Sequence, residues 1–426
     1  MPFPPAPSFL PNRNRRLRLL AHTRHIVGVM LPLGAGIGLL VAALLLGLGS
    51  FEPWVVRFAW RTRSTLVLPG LGLFLTTAWL SLTGIGPVSL FKDLDLAHRD
   101  PYQVFPFWAS IGKVVACACT IAFGGSAGIE GPCKWFGAAV GLQYHRLLVF
   151  LARFAGPARH LKRPPLAMVR GGAAAALAAV FRAPLSGALM AAEHDGRLAP
   201  EALVPCLVAA ASGYVAFAAL VGHTPLLPVA LPYPSSLPMR TLLLWPLALG
   251  LTCGLAASCY LWLKDRLSGL LEPVPLLWRG LCAGAGLSLL ALPGHLLCPD
   301  FPVTQGGGLD MIQNLLRGNP LPSMAILFLA LKMAATALTF AGGGVGGIWL
   351  PSLAMGAAIG AAFDGMLGLG QTGCLTLVGA SALAGATHGT LLVPVVFLAE
   401  TTGQAALVVP ALIGTTIAHL VVRERS

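Results

Sequence analysis

The chain has 426 residues, of which 56% are hydrophobic and only 10% charged, and its mean hydropathy is +0.79. That composition excludes a soluble globular domain, where roughly 25% of residues are charged, and equally a disordered or a fibrous chain; what fits is an all-α, polytopic membrane protein. The net charge of +13 invites nucleic acid as a partner. The basic residues, however, are scattered through short loops and build no face interleaved with aromatics, so they read as topology signals and lipid-headgroup contacts, with no nucleic acid expected.

In chain order, a basic tail over residues 1–25 carries Arg13, Arg15, Arg16, Arg18 and Arg24. This is what the positive-inside rule expects of a cytoplasmic segment. The apolar run from Ile26 to Leu48 has 23 residues and no A-x-A site after it. A signal-peptide core has about 7–15 residues, so this run predicts a first span rather than a leader. Arg57, Arg61 and Arg63 come one span later and run against the charge rule. Further apolar segments fall near 65–83, 106–123, 166–192, 202–221, 241–263, 276–297, 323–341, 350–369, 374–399 and 405–422, separated by loops at 92–101, 156–165 and 299–308. The pattern predicts a single transmembrane domain over 26–422, with no soluble domain. The nine cysteines are odd in number and mostly in apolar runs, which argues against a disulfide framework. Cys117 and Cys119 form a lone CxC without clustered His, so no metal or other cofactor is expected.

The most informative feature is an internal repeat. Lys113–Gly141 matches Lys332–Gly360 at 14 of 29 positions with a shift of 219, including Lys113/Lys332, Thr120/Thr339, Gly124/Gly343, Gly125/Gly344, Gly128/Gly347, Ile129/Ile348 and Pro132/Pro351. A weaker echo with a shift of 207 pairs Gly172 with Gly379 and Glu193 with Glu400. Two matching halves, about 60–222 and 276–422, each interrupted by a glycine cluster, are the pattern of a transporter built from repeats with broken helices. Pro132 and Pro351 suit the first turn of a restarting helix. Two such N-termini facing one another would offer unpaired N–H groups and positive partial charge to an anion.

Glu130 sits at the first break, in GGSAGIEGP, where an acidic side chain is costly and functional by default. Its carboxylate is an internal anion able to occupy the seat a permeating anion needs, and protonation would release it. Its repeat partner is Trp349, so the predicted site has one titratable lid and one apolar wall. Lys113 and Lys332 either raise the local potential for an anion or pair structurally. A competing signal is Gly124–Gly128, which matches the nucleophile elbow G-x-S-x-G with Ser126 as nucleophile and His145 or His388 as base. The repeat sets Val345 opposite Ser126, as though the position needs only to be small, and no Asp lies near either His. The intramembrane serine hydrolase is therefore a remote alternative.

The motifs together resemble the CLC family of chloride channels and proton/chloride antiporters, over about residues 30–420. GIEGP at 128–132 resembles the family's G-K/R-E-G-P, and GGIWLP at 346–351 its G-x-F-x-P with Trp for Phe. TGIGP at 83–87 is a looser likeness of G-S-G-I-P, and FRAPLSGALMAAE at 181–193 and FLAETTGQAALVVP at 397–410 resemble the helices that follow each half. The resemblance implies inverted repeats whose broken helices meet at a central anion site, a homodimer with one pathway per subunit, and Glu130 as the gating glutamate. It places the anion near Gly128, Ile129, Gly131, Gly347, Ile348, Trp349 and Leu350, with Thr83 and Gly84 where the family keeps a central Ser. Four departures stand out: Ile129 replaces the basic residue before the glutamate, and His194 stands where antiporters keep an inner, proton-delivering glutamate. None of the five Tyr (102, 144, 214, 233, 260) is C-terminal, and no cytoplasmic regulatory domain is expected. The expectation is a multi-pass protein of a bacterial inner membrane that moves chloride or a similar monovalent anion. Proton-coupled exchange is preferred, with His194 relaying protons, and a passive gated channel is the alternative.

Overall fold

A computed structural model describes residues 26–47, 66–86, 105–154, 166–194, 197–198, 200–227, 239–297, 302–318, 320–369 and 373–423. The basic tail, Arg57, Arg61, Arg63, the loops at 92–101 and 156–165, Asp195 and the side chain of His194 lie outside the described residues. The first half contains α1 (Ile26–Gly47), α2 (Leu68–Thr83), α3 (Phe107–Ala122), α4 (Glu130–Ala152), α5 (Leu166–Phe181), α6 (Pro184–Ala192) and α7 (Pro200–Val221). The second contains α8 (Met239–Leu271), α9 (Leu276–Leu297), α10 (Leu309–Gly318), α11 (Pro322–Ala341), α12 (Trp349–Met366), α13 (Cys374–His388), α14 (Leu392–Thr402) and α15 (Val408–Arg423). A two-residue ribbon, β1 (Glu193–His194) against β2 (Arg197–Leu198), pairs Glu193 with Leu198 and His194 with Arg197. The fold is otherwise all-α among the described residues.

Six of the described helical stretches are long and apolar enough to cross a membrane by length and composition: α1, α7, α8, α9, α11 and the stretch Ala405–Arg423. Large apolar side chains such as Leu40, Val215, Leu244, Leu289 and Leu420 are exposed, which suits a lipid-facing surface. The interior is lined by Ala and Gly, and there the helices touch backbone to backbone. A Cβ added at Gly137 would land on the carbonyl of Gly172, and one at Gly356 on the carbonyl of Gly379. The α4–α5 and α12–α13 pairs therefore pack in the same way in both halves, as the two repeat shifts require.

Three segments differ from the sequence expectation. The apolar run at 166–192 is two helices, because Arg182 adopts φ 53 and Pro184 opens the next helix without needing a hydrogen bond for its nitrogen. The run at 374–399 divides at Gly389, φ 65, into α13 and α14. No apolar segment was expected over α4, because Lys134, Gln143, His145 and Arg146 interrupt its hydropathy, yet Lys134 and His145 are buried in protein.

Candidate functional site

Both halves break by the same chemistry. At the end of α3, Gly124 turns at φ 95 and the Gly125 N–H returns to the Thr120 carbonyl at 2.7 Å; at the end of α11, Gly343 turns at φ 87 and the Gly344 N–H returns to the Thr339 carbonyl at 2.8 Å. Only glycine adopts such angles without strain. The chain then runs straight to meet its counterpart. Gly128 and Gly347 form an antiparallel bridge, with N–H to carbonyl distances of 2.8 and 2.6 Å. Each strand is further held by a threonine of the other half: the Ser126 N–H donates to Thr339 Oγ1 at 3.0 Å, and the Val345 N–H to Thr120 Oγ1 at 3.1 Å.

Immediately past the bridge, Ile129 and Ile348 are the N-cap residues of α4 and α12. Pro132 and Pro351 occupy the third helical position of each, where a missing N–H removes no intrahelical bond. The two helix starts are thus brought together at the centre of the protein. Glu130, 2% exposed, reaches across the pseudo-symmetry axis. Its Oε1 accepts the main-chain N–H groups of Trp349 at 2.9 Å and Leu350 at 3.2 Å. Its carboxylate lies against Gly128 and Gly347, where any Cβ would collide with it. Oε2 has no hydrogen-bond partner. An acidic side chain therefore sits on the N-terminus of α12 as a bound anion would, drawing on the same orphan N–H groups and partial positive charge.

Of the residues named from sequence, Gly128, Ile129, Glu130, Gly131, Gly347, Ile348, Trp349 and Leu350 are brought together here. Thr83 and Gly84 are not joined to them by any described hydrogen bond: both are exposed at the end of α2, and the Thr83 hydroxyl donates to the Trp79 carbonyl at 2.7 Å. His194 stands in β1, beyond α6. Ser126 is fully buried with its hydroxyl 2.8 Å from that of Thr336, so its partner is a threonine rather than His145 or His388. Lys332 donates to the carbonyls of Gln305 at 2.9 Å and Gly306 at 2.8 Å, and the Gly306 N–H donates to Gly125. This supports the structural reading of that lysine. Lys113 lies over the Trp135 ring, 3.1 Å from its centroid.

Sequence reasoning missed the wall around Trp349. Its indole packs on Phe181, His388 and Phe397, with ring centroids at 5.9, 4.9 and 5.9 Å. Phe181 and His388 are the last residues of α5 and α13, so the two further helix breaks converge on the same place. Their echo in the weaker repeat was the available signal.

The chain matches the family model described as voltage gated chloride channel over residues 72–423. An uncharacterised protein of Methanocaldococcus jannaschii is 28% identical over 288 residues, 66% of either chain. The voltage-gated ClC-type chloride channel ClcB of Shigella flexneri is 28% identical over 383 residues, covering 86% of this chain and 84% of that one. Among solved structures, a slow cyanobacterial Cl−/H+ antiporter superposes with a TM-score of 0.78 at 18% identity, covering 94% of this chain and 95% of that one. A CLC-type fluoride/proton antiporter gives 0.73 at 22% identity, with 95% of each chain covered.

Proposed function

We propose that this chain, which belongs to the voltage gated chloride channel family, exchanges chloride or a similar monovalent anion for protons across a membrane, with Glu130 as both gate and proton carrier. The observation that carries the reading is the seat of the Glu130 carboxylate on the Trp349 and Leu350 N–H groups. An ionised carboxylate there competes directly with a permeating anion for the same donors. Protonation removes its charge and weakens those two bonds, the side chain leaves, and the anion takes the vacated N–H groups. Loss of the proton to the other side restores the carboxylate as the better occupant. One seat thus alternates between a proton-dischargeable lid and the transported ion, which couples their fluxes.

His194, one residue beyond Glu193 at the end of α6, is proposed as the relay that supplies the proton, because imidazole titrates near neutrality and a bare charge does not cross an apolar interior. The names of the relatives support chloride as the anion, the long apolar helices support a membrane, and a bacterial inner membrane and a homodimer are proposed with them.

The test is flux in proteoliposomes read together with a pH probe. Glu130→Gln mimics the protonated carboxyl and is expected to abolish proton movement while anion movement persists. His194→Ala is expected to do the same, with proton flux regained in His194→Glu. Proton uptake against an anion gradient that survives Glu130→Gln overturns the gate.

A further inference from the structure

Trp349 carries a second donor that the gate does not use. The residue is fully buried and its indole Nε1 has no hydrogen-bond partner. A buried N–H without an acceptor costs free energy on the scale of a lost hydrogen bond. Phenylalanine would fill much of the same space without that cost. The neighbouring His388 sets its Nδ1 3.0 Å from the Ala384 carbonyl, and neither of its ring nitrogens forms a hydrogen bond with the indole.

The position of this donor separates it from other unpaired polar atoms. Trp135 Nε1 is also without a partner, but that indole lies inside α4 beneath Lys113. Trp349 is the first residue of α12 and one of the two whose main-chain N–H groups hold Glu130. Main-chain donor and indole donor are a few covalent bonds apart. On the main-chain side, the carboxylate that the Trp349 N–H holds keeps its second oxygen, Glu130 Oε2, without a hydrogen-bond partner. An unpaired donor on a residue that also seats the Glu130 carboxylate calls for an acceptor that the chain itself does not supply.

We propose that the indole N–H of Trp349 is a side-chain ligand of the transported anion, holding it next to the seat that Glu130 occupies. The ligand class is a small monovalent anion that accepts a hydrogen bond, which rests on the exchange function proposed above. The Phe181, Phe397 and His388 rings shield the position from water. There a single charge-assisted N–H bond is stronger than its counterpart in water.

The test replaces the indole N–H with sulfur, by installing 3-benzothienylalanine at position 349, alongside Trp349→Phe. Chloride, bromide and thiocyanate are titrated calorimetrically into each purified full-length protein. The expected result is a loss of chloride affinity of about tenfold in both variants, as for a hydrogen bond to a charged partner. The loss should be steepest for chloride and smallest for thiocyanate, which is the weakest acceptor. Wild-type chloride affinity in both variants overturns the proposal. So does an equal loss for all three anions, because that is the mark of disturbed packing. Either result leaves anion exchange standing if the wild-type protein still moves chloride in liposomes. A folded wild type that binds none of the three anions and moves none removes both readings together.

Discussion

Thr120 and Thr339 show how much one hydroxyl does at the break. Each donates to a carbonyl one turn back in its own helix, Ala116 at 3.0 Å and Ala335 at 2.8 Å. Each also accepts a main-chain N–H from the opposite half. The segments 126–128 and 345–347 are too short to satisfy their own backbone, and no water is available to do it in an apolar interior. Thr339→Val keeps the shape and strands the Ser126 N–H, at a cost of about 1–3 kcal/mol. The apparent melting temperature in detergent is expected to fall by several degrees, while Thr339→Ser, which retains the acceptor, stays near wild type. A Val variant that melts with the wild type would mean the N–H has found another partner. Ser126 belongs to the same brace. Its predicted alternative role as a nucleophile fails on the same geometry, because the hydroxyl is buried against Thr336.

Among the elements, α6 and α14 exchange carboxylates. Glu400, near the end of α14, accepts the N–H groups of Leu185 at 2.9 Å and Ser186 at 2.8 Å and the Ser186 hydroxyl at 2.6 Å, at the start of α6. Glu193, just past the end of α6, accepts the Leu391 N–H at 3.3 Å, at the start of α14. Each acid caps its partner helix rather than its own, where it also complements the helix dipole. The pairing of Glu193 with Glu400 was readable in the sequence, and so was the repeat that brings Glu130 to Trp349. What the sequence does not contain is which element each acid serves. A shift of 207 says that two residues are equivalent; it does not say that each crosses to the other half. Hydropathy also hides α4, whose Lys134 and His145 are buried in protein, and joins α5 to α6 across a break made by the backbone of one arginine. Glu400→Gln is expected to destabilise by about 1 kcal/mol through loss of the charge and one acceptor. Ser186→Ala and Glu400→Gln should be strongly non-additive, since both remove the same contact. Full additivity in a double-mutant cycle of melting measurements would refute the cap.

At the scale of the whole molecule, the same pattern repeats at every break: a residue of one half completes the other. The hydrogen bonds that do this join residues 198 to 225 positions apart. Ribosomes add about 5–20 residues per second, so the first half waits tens of seconds in the bilayer before its partners exist. During that interval the N–H groups of Leu185, Ser186 and Ser126 and the carboxylate of Glu193 have none of their eventual partners, in a medium where unpaired polar groups are costly. The nascent first half must therefore keep water or headgroups at its centre, or be held by a chaperone, and a pause at this stage exposes it to quality-control proteases. Split at the junction before Met239, fragments 1–238 and 239–426 are expected to be degraded when made singly. Made together, they should restore anion flux. Accumulation of either fragment alone in a protease-resistant form would show that a half is a folding unit in its own right. The interlocking that gives the site its symmetry thus also makes completion of synthesis the event that commits the protein to its fold.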